Sequence, residues 1–405
     1  MWKIKINNIR INALPESISA FHFDRPKIGD SRADFKLEIT GWVIGKEKPI
    51  QAIHLQSDKG SHLFRVDYPR PDVVEAHKNS YKGAATVGFR GTMPLEHASG
   101  SVVYTILAQL GSNRVRVGHI ELQVLFDRPS IRPAFVPIFL TSLGRTGTTF
   151  CWQALGHHPE IAAPRFYPAE TRMAHHYMAC LRQSFQTDEV QHLPPQLVQA
   201  VNIEIGSQSI RHYVNCIDQF YAAVAQINGH SEARFFVEKF LPFQAQDWFR
   251  DIYPVTKEVF LVRDFRDMVC SILAFNKKLG RQAFGREHYQ SDLDYVRHHK
   301  GPYSLLNAWK QRKNQAYLVR YEDLILNDQE TLQGVFTYLG VDADPQKVQT
   351  ICDFLNSPVG PFKAHMTSET RQESIQRWQR DLSPTLIKAA NENYGPLLTA
   401  FGYDL

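Results

Sequence analysis

Residues 137–155 read PIFLTSLGRTGTTFCWQAL, and the fold of the second part of the chain follows from them. The apolar run at 137–140 predicts a short buried strand. Residues 141–147 are small and polar, with glycines at Gly144 and Gly147, and predict a tight turn. From Thr148 onward, Phe150, Cys151, Ala154 and Leu155 recur at helical spacing. Strand, glycine turn and helix together form a phosphate-binding layout. Glycine lets the backbone approach the anion, and the first N–H groups of the helix point at it. Thr148 and Thr149 add hydroxyl donors, and Arg145 adds a fixed charge on a planar fork.

The loop departs from the GxxxxGK[ST] pattern of nucleoside triphosphate sites. Ser142 stands where the first glycine should be and Thr148 where the lysine should be, so the cation that reaches the β- and γ-phosphates is missing. That weighs against a P-loop kinase or nucleotide triphosphatase, which is kept as the alternative reaction class. A basic residue two places before the second glycine, followed by Thr-Thr, resembles the 5′-phosphosulfate loop of sulfotransferases. That family uses 3′-phosphoadenosine 5′-phosphosulfate (PAPS). The resemblance implies that Arg145, Thr146, Gly147, Thr148 and Thr149 contact this co-substrate.

The chain has 405 residues, room for two or three domains. Hydrophobic and charged fractions of 43% and 21% are those of a globular protein. A net charge of +5 suits an anionic ligand but is too small a bias to indicate nucleic acid. The five cysteines form no CxxC pair, and their number is odd, which argues against a disulfide framework or a zinc site and for a reducing compartment. The opening MWKIKINNIRINAL lacks the continuous apolar core of a signal peptide, and no apolar run approaches the ~20 residues that span a bilayer. The expectation is a cytoplasmic protein without a transmembrane segment.

Residues 1–127 read as an all-β sandwich domain. Strand-like runs at 35–44, 51–56, 62–68, 85–92, 102–110 and 114–125 are rich in β-branched and aromatic residues and separated by turn residues. The segments GWVIG, RPDVVEAH and VGFRGTMPL are loosely similar to small β-sandwich modules attached to bacterial glycan-modifying enzymes. Residues 128–136, RPSIRPAFV, carry two prolines and read as a linker. The second domain is then 137–405. In it, apolar runs at 235–240, 258–262 and 316–319 lie between helical patterns and finish at or beside Lys239, Arg263 and Arg320. Strands alternating with helices predict an α/β domain, a P-loop-like parallel sheet with helices on both faces. Ligands of such sheets bind beyond the carboxyl ends of the strands. Arg145, Lys239 and Arg263 all fall there.

At Arg263 the resemblance to sulfotransferases becomes more specific. VFLVRDFRDMVCS, residues 259–271, is similar to their LVRDPRDVVxS segment, with Phe265 in place of proline and Ser271 eight residues after Arg263. The resemblance implies that Arg263 and Ser271 hold the 3′-phosphate of the nucleotide. Arg266 and Asp267 are expected to be a solvated charge cluster. VRYEDL at 319–324 matches a further family segment, expected to close a strand end. RQESIQRWQRDL at 371–382 resembles the C-terminal segment that bacterial members fold over the nucleotide, which implicates Arg377 and Trp378. PAETRMA at 168–174 resembles the ETR segment of tyrosylprotein sulfotransferases, making Glu170 the candidate base and Arg172 a substrate-side neighbour. His157, His158 and His175 are rivals for the base. Arg145 and Lys239 would stabilise the leaving oxygen. The pairs His157/His158 and His175/His176 do not suggest a metal, because adjacent residues do not share a helix face. By resemblance the co-substrate is PAPS, no metal is needed, and the sandwich points to a glycan acceptor. A non-catalytic glycan-binding protein with a degenerate enzyme domain is the remaining alternative.

Overall fold

The computed structural model describes residues 2–32, 36–78, 81, 83, 86–94, 97–165, 171–184, 195–244, 246–357 and 367–405. The chain divides into two compact units. One comprises Met1–Ile131 and Met178–Tyr213, the other Arg132–Tyr177 and Val214–Leu405.

Among the described residues, the first unit is built on nine antiparallel strands: β1 (Trp2–Ile11), β2 (Ile18–Arg25), β3 (Ser31–Arg32), β4 (Lys36–Gly45), β5 (Ala52–Gln56), β6 (Ser61–Pro69), β7 (Thr86–Pro94), β8 (Gly100–Leu110) and β9 (Asn113–Phe126). Their order is β2-β4-β7-β6-β5-β8-β9-β1-β3. Strand β6 makes the corner. Its first half, from Ser61 to Arg65, pairs with β5, and its second half, from Val66 on, pairs with β7 with register shifts between Val66 and Tyr68 and between Tyr68 and Pro69. A strand that changes sheets at such an irregularity joins the two layers of a sandwich. The expected all-β architecture is therefore present, with two additions. Strands β1 and β2 were not anticipated, although Trp2, Ile4 and Ile6 alternate with polar residues and are buried. A short helix, α1 (Pro71–Ala76), interrupts the strands, with proline at its start.

Among the described residues, the second unit holds a five-stranded parallel sheet: β10 (Val136–Thr141), β11 (Ile161–Ala162), β12 (Phe235–Phe240), β13 (Lys257–Val262) and β14 (Tyr317–Arg320), in the order β11-β12-β10-β13-β14. The helices that follow along the chain are α2 (Thr148–Gly156), α3 (Met173–Ser184), α4 (Pro195–Asn228), α5 (Gln246–Ile252), α6 (Phe265–Leu279), α7 (Asp292–His298), α8 (Gly301–Arg312), α9 (Tyr321–Leu326), α10 (Asp328–Leu339), α11 (Pro345–Asn356), α12 (Trp378–Asp381) and α13 (Pro384–Ala400). Alternate residues of the strands face opposite cores. Ile138, Leu140, Val259 and Leu261 pack with side chains of α2, α10 and α11. Phe260 and Val262 pack with α6, α7, α8 and α13. Helices on both faces are what a sheet buried on both sides requires. Central strand β10 has β12 on one side and β13 on the other. Chain direction along the sheet reverses there, so a crevice opens at the carboxyl end of β10. The loop of residues 142–147 occupies that position.

Candidate active site

The loop after β10 is fixed by its own side chains. The Ser142 hydroxyl donates to the Leu261 carbonyl at 2.5 Å, and the Thr146 hydroxyl donates to the Leu143 carbonyl at 2.8 Å. Thr146 is fully buried, and its hydroxyl is spent within the loop. Arg145 (φ 67°) and Gly147 (φ 93°) both take the left-handed conformation. Gly147 precedes α2 and supplies no side-chain cap, which leaves the first turn, with Thr148 and Thr149, to meet an anion through backbone and hydroxyl groups.

Gly147 is required twice over. Besides its φ, a methyl group there would sit 2.2 Å from Cδ2 of Tyr321, whose ring is itself held by a 3.0 Å bond to Ser374 Oγ. Gly147→Ala should therefore destabilise the protein by about 2 kcal/mol or more. Gly280→Ala, at φ 66° with nothing within 4 Å of the added methyl, is the control that carries backbone strain alone. Thermal denaturation should show a larger loss for Gly147→Ala. Equal losses would mean that Tyr321 yields.

Two segments far apart in sequence meet at this loop. Arg145 Nε donates to Ser271 Oγ at 3.2 Å, joining the loop after β10 to the helix after β13. The Arg145 guanidinium lies 4.2 Å from the ring centre of Phe275, one turn along the same helix. Arg263, only 4% exposed, donates to the Arg145 carbonyl at 3.2 Å and to the Ser374 carbonyl at 2.5 Å, and its guanidinium stacks on Tyr321 at 4.5 Å. Its buried Nε has no partner among the described residues. A buried fork whose hydrogen bonds go to carbonyls, with a donor to spare, suits a phosphate oxygen. The structure thus brings Arg145, Arg263 and Ser271 together.

Arg266 and Asp267 are not the solvated cluster expected from sequence. Their exposures are 3% and 1%. Arg266 forms a 2.7 Å ion pair with Asp264, donates to the Asp404 carbonyl and lies 3.9 Å over the Trp378 indole. Asp267 accepts the backbone N–H groups of Gln376 (2.7 Å) and Trp378 (2.9 Å). Burial pushes its carboxyl up to about 6, while the nearby Arg263 charge pulls it down. These charges are buried because they hold residues 374–378 against the start of α6. The segment does fold over this region, and its Ser374 carbonyl reaches Arg263. The Arg377 side chain, however, pairs with Asp381 at 2.7 Å and Thr367 at 2.9 Å, and the Trp378 ring serves Arg266. Glu322 of VRYEDL accepts from the Asp264 N–H and the Tyr403 hydroxyl, so the last residues are tied to the same strand ends.

Lys239, 7% exposed, lies at the end of β12 with its ammonium 5.5 Å from the Trp152 ring centre. The adjacent Glu238 points to the opposite side of the sheet, where it meets α3 and Tyr221. Glu170 lies outside the described residues. Arg172 is described, with φ 46°, immediately before α3. Two of the three histidine rivals are removed by their surroundings. His158 is fully buried and uses both ring nitrogens, one with the Asp342 carbonyl and one with the Glu160 N–H. His157 bonds the Gln153 carbonyl and packs on Phe354 at the far end of α2, about 13 Å along the helix from the loop. Burial lowers the basicity of both. His175 stays near the strand end, its ring 5.9 Å from that of Phe240. Among the described residues, no three His, Cys, Asp or Glu side chains gather as a metal site.

The family model described as "Sulfotransferase family" matches residues 137–345, just over half of the chain. The chain belongs to the sulfotransferase family. The protein-tyrosine sulfotransferase of Drosophila melanogaster is 20% identical to it over 282 residues, covering 66% of this chain and 51% of the relative. This sulfotransferase therefore spans about half the length of that curated relative. Among solved structures, the sulfotransferase domain of the Synechococcus PCC 7002 olefin synthase overlaps 69% of this chain and 99% of its own, with 17% identity and a TM-score of 0.40. A mouse sulfotransferase complexed with PAP overlaps 67% of this chain and 85% of its own, with 12% identity and a TM-score of 0.38. In this sulfotransferase the matched residues include the loop after β10, Lys239, Arg263 and Ser271.

Proposed function

We propose that this sulfotransferase takes PAPS as donor and moves its sulfuryl group to an acceptor hydroxyl, releasing 3′-phosphoadenosine 5′-phosphate (PAP). The observation that carries the reading is the 3.2 Å contact between Arg145 and Ser271, with Arg263 buried beside it. It makes one cradle of two anion-holding parts, as a nucleotide with separate 5′ and 3′ anions needs. The α2 first turn and Arg145 take the 5′-phosphosulfate. Arg263 and Ser271 take the 3′-phosphate, and residues 371–382, with Arg377 and Trp378, cover the nucleotide.

In the transfer step, a bond forms between the acceptor oxygen and sulfur as the bond from sulfur to the 5′-phosphate oxygen breaks. The leaving phosphate keeps the electron pair, and Lys239 and Arg145 neutralise the charge that grows on it. The acceptor proton passes to Glu170, with Arg172 beside the acceptor and His175 as the alternative base. Residues 137–405 form the catalytic part, residues 128–136 the linker, and the sandwich presents a glycan acceptor. The shared ETR segment makes a phenolic hydroxyl the second acceptor class. This reading keeps the cytoplasmic location expected from the sequence.

Incubation of the full chain with radiolabelled PAPS and a panel of glycans, phenols and tyrosine peptides tests this. Label should move to at least one class without added metal. PAP binding with no transfer to any class would defeat the transferase reading.

A further inference from the structure

The first turn of α3 begins directly after the segment that carries Glu170 and Arg172, yet its exposed N–H groups are met by a residue from the sheet. Glu238 on β12 is 1% exposed. One carboxylate oxygen accepts the N–H of Ala174 at 2.6 Å, and the other accepts the N–H of His175 at 3.1 Å. The first oxygen also accepts the Tyr221 hydroxyl at 2.5 Å. The Tyr221 ring is stacked on Phe236 of the same strand, 4.3 Å between centres and 12° from parallel, so this third donor is rigidly placed. Burial pushes the Glu238 carboxyl upward, while three donors and the charge of Arg172 favour the carboxylate. A carboxylate taking two consecutive N–H groups of a helix start performs the work of a cap and meets the positive end of the helix dipole. Here the cap comes from over 60 residues further along the chain.

We propose that Glu238 is a positioning residue of this transferase: it locks the start of α3, with His175 in its first turn and Arg172 just before it, to the strand end that carries Lys239. Glu238 and Lys239 are consecutive on one strand and point to opposite sides of it. One carboxylate therefore sets the spacing between the leaving-group cation and the acceptor-activating segment. On this proposal Glu238 acts through α3 rather than on the reacting atoms. This inference rests on the transferase reading above, and the experiment separates the two.

Full-length wild type, Glu238→Gln, Glu238→Asp and Tyr221→Phe would be compared by amide hydrogen exchange, calorimetry with PAP, and PAPS turnover with p-nitrophenol as the probe acceptor. In Glu238→Gln, exchange at residues 172–177 should rise at least tenfold and kcat fall at least tenfold. PAP affinity and the KM for PAPS should stay within about threefold. Glu238→Asp keeps the charge and should recover part of both losses. If the glutamine variant does not fold, the aspartate variant decides, with exchange and kcat expected to shift together. Tyr221→Phe leaves both backbone bonds and should keep at least half of the turnover. Unchanged exchange at 172–177, faster exchange with unchanged kcat, or a matching loss of PAP affinity would each overturn the positioning role. Failure of the transferase reading is seen separately, in the wild type: no PAP binding and no turnover, while the exchange comparison still reports whether Glu238 holds α3.

Discussion

Lys239→Ala is expected to slow sulfuryl transfer by about 10²–10³-fold while leaving PAP affinity within several-fold of wild type. Lys239 is buried at the end of β12, only 7% exposed, where bulk water replaces it poorly. In the proposed reaction it meets charge that appears only as the sulfur–oxygen bond to the leaving phosphate breaks, so its loss should fall on kcat more than on ground-state binding. Arginine is a poor substitute: its wider planar fork would have to fit beside the Trp152 ring that lies 5.5 Å from the lysine nitrogen. Single-turnover rates with saturating PAPS, set beside calorimetry with PAP, measure the split. Equal losses in rate and affinity would make Lys239 a binding residue.

Arg263→Ala should weaken PAP binding by about 1.5–3 kcal/mol, roughly 10–150-fold. Its guanidinium is buried, donates to the carbonyls of Arg145 and Ser374, and stacks on Tyr321. Removing it takes away the charge and also one of the bonds that hold residues 374–378 at the strand ends. Arg263→Lys keeps the charge but not the fork and should recover only part of the affinity. Calorimetry with PAP decides, and unchanged affinity would remove Arg263 from the nucleotide site.

Local patterns made much of this legible in advance. A glycine turn between an apolar run and a helical pattern marks the loop at 142–147. Cations at the ends of three apolar runs mark the crevice of a parallel sheet, because ligands gather at those ends. Ser271 falls two turns after the helix start, a spacing that shows in sequence. What was not legible depends on partners distant in the chain. Arg266 and Asp267 look like surface charge until a segment over 100 residues away arrives, with the N–H groups of Gln376 and Trp378 on Asp267 and the Trp378 ring on Arg266. Glu238 reads as the polar end of an apolar strand, and only the arrival of α3 shows what it holds. Tyr321 was read as closing a strand end, but its contacts with Gly147 and Arg263 required the fold. His157 and His158 stood close to the loop in sequence, yet α2 carries them to its far end. The one clue within reach was the i, i+4 pair Ser271 and Phe275, which places an aromatic on the helix face that meets Arg145.

Preference for a nucleotide with a 3′-phosphate is the most direct test of the cradle formed by Arg145, Arg263 and Ser271. Calorimetric titration of the full chain with PAP and with ADP, each with and without magnesium, measures it. PAP should bind at least tenfold more tightly than ADP, equally well with and without the ion. Equal affinity for ADP, or a strict need for magnesium, would contradict it.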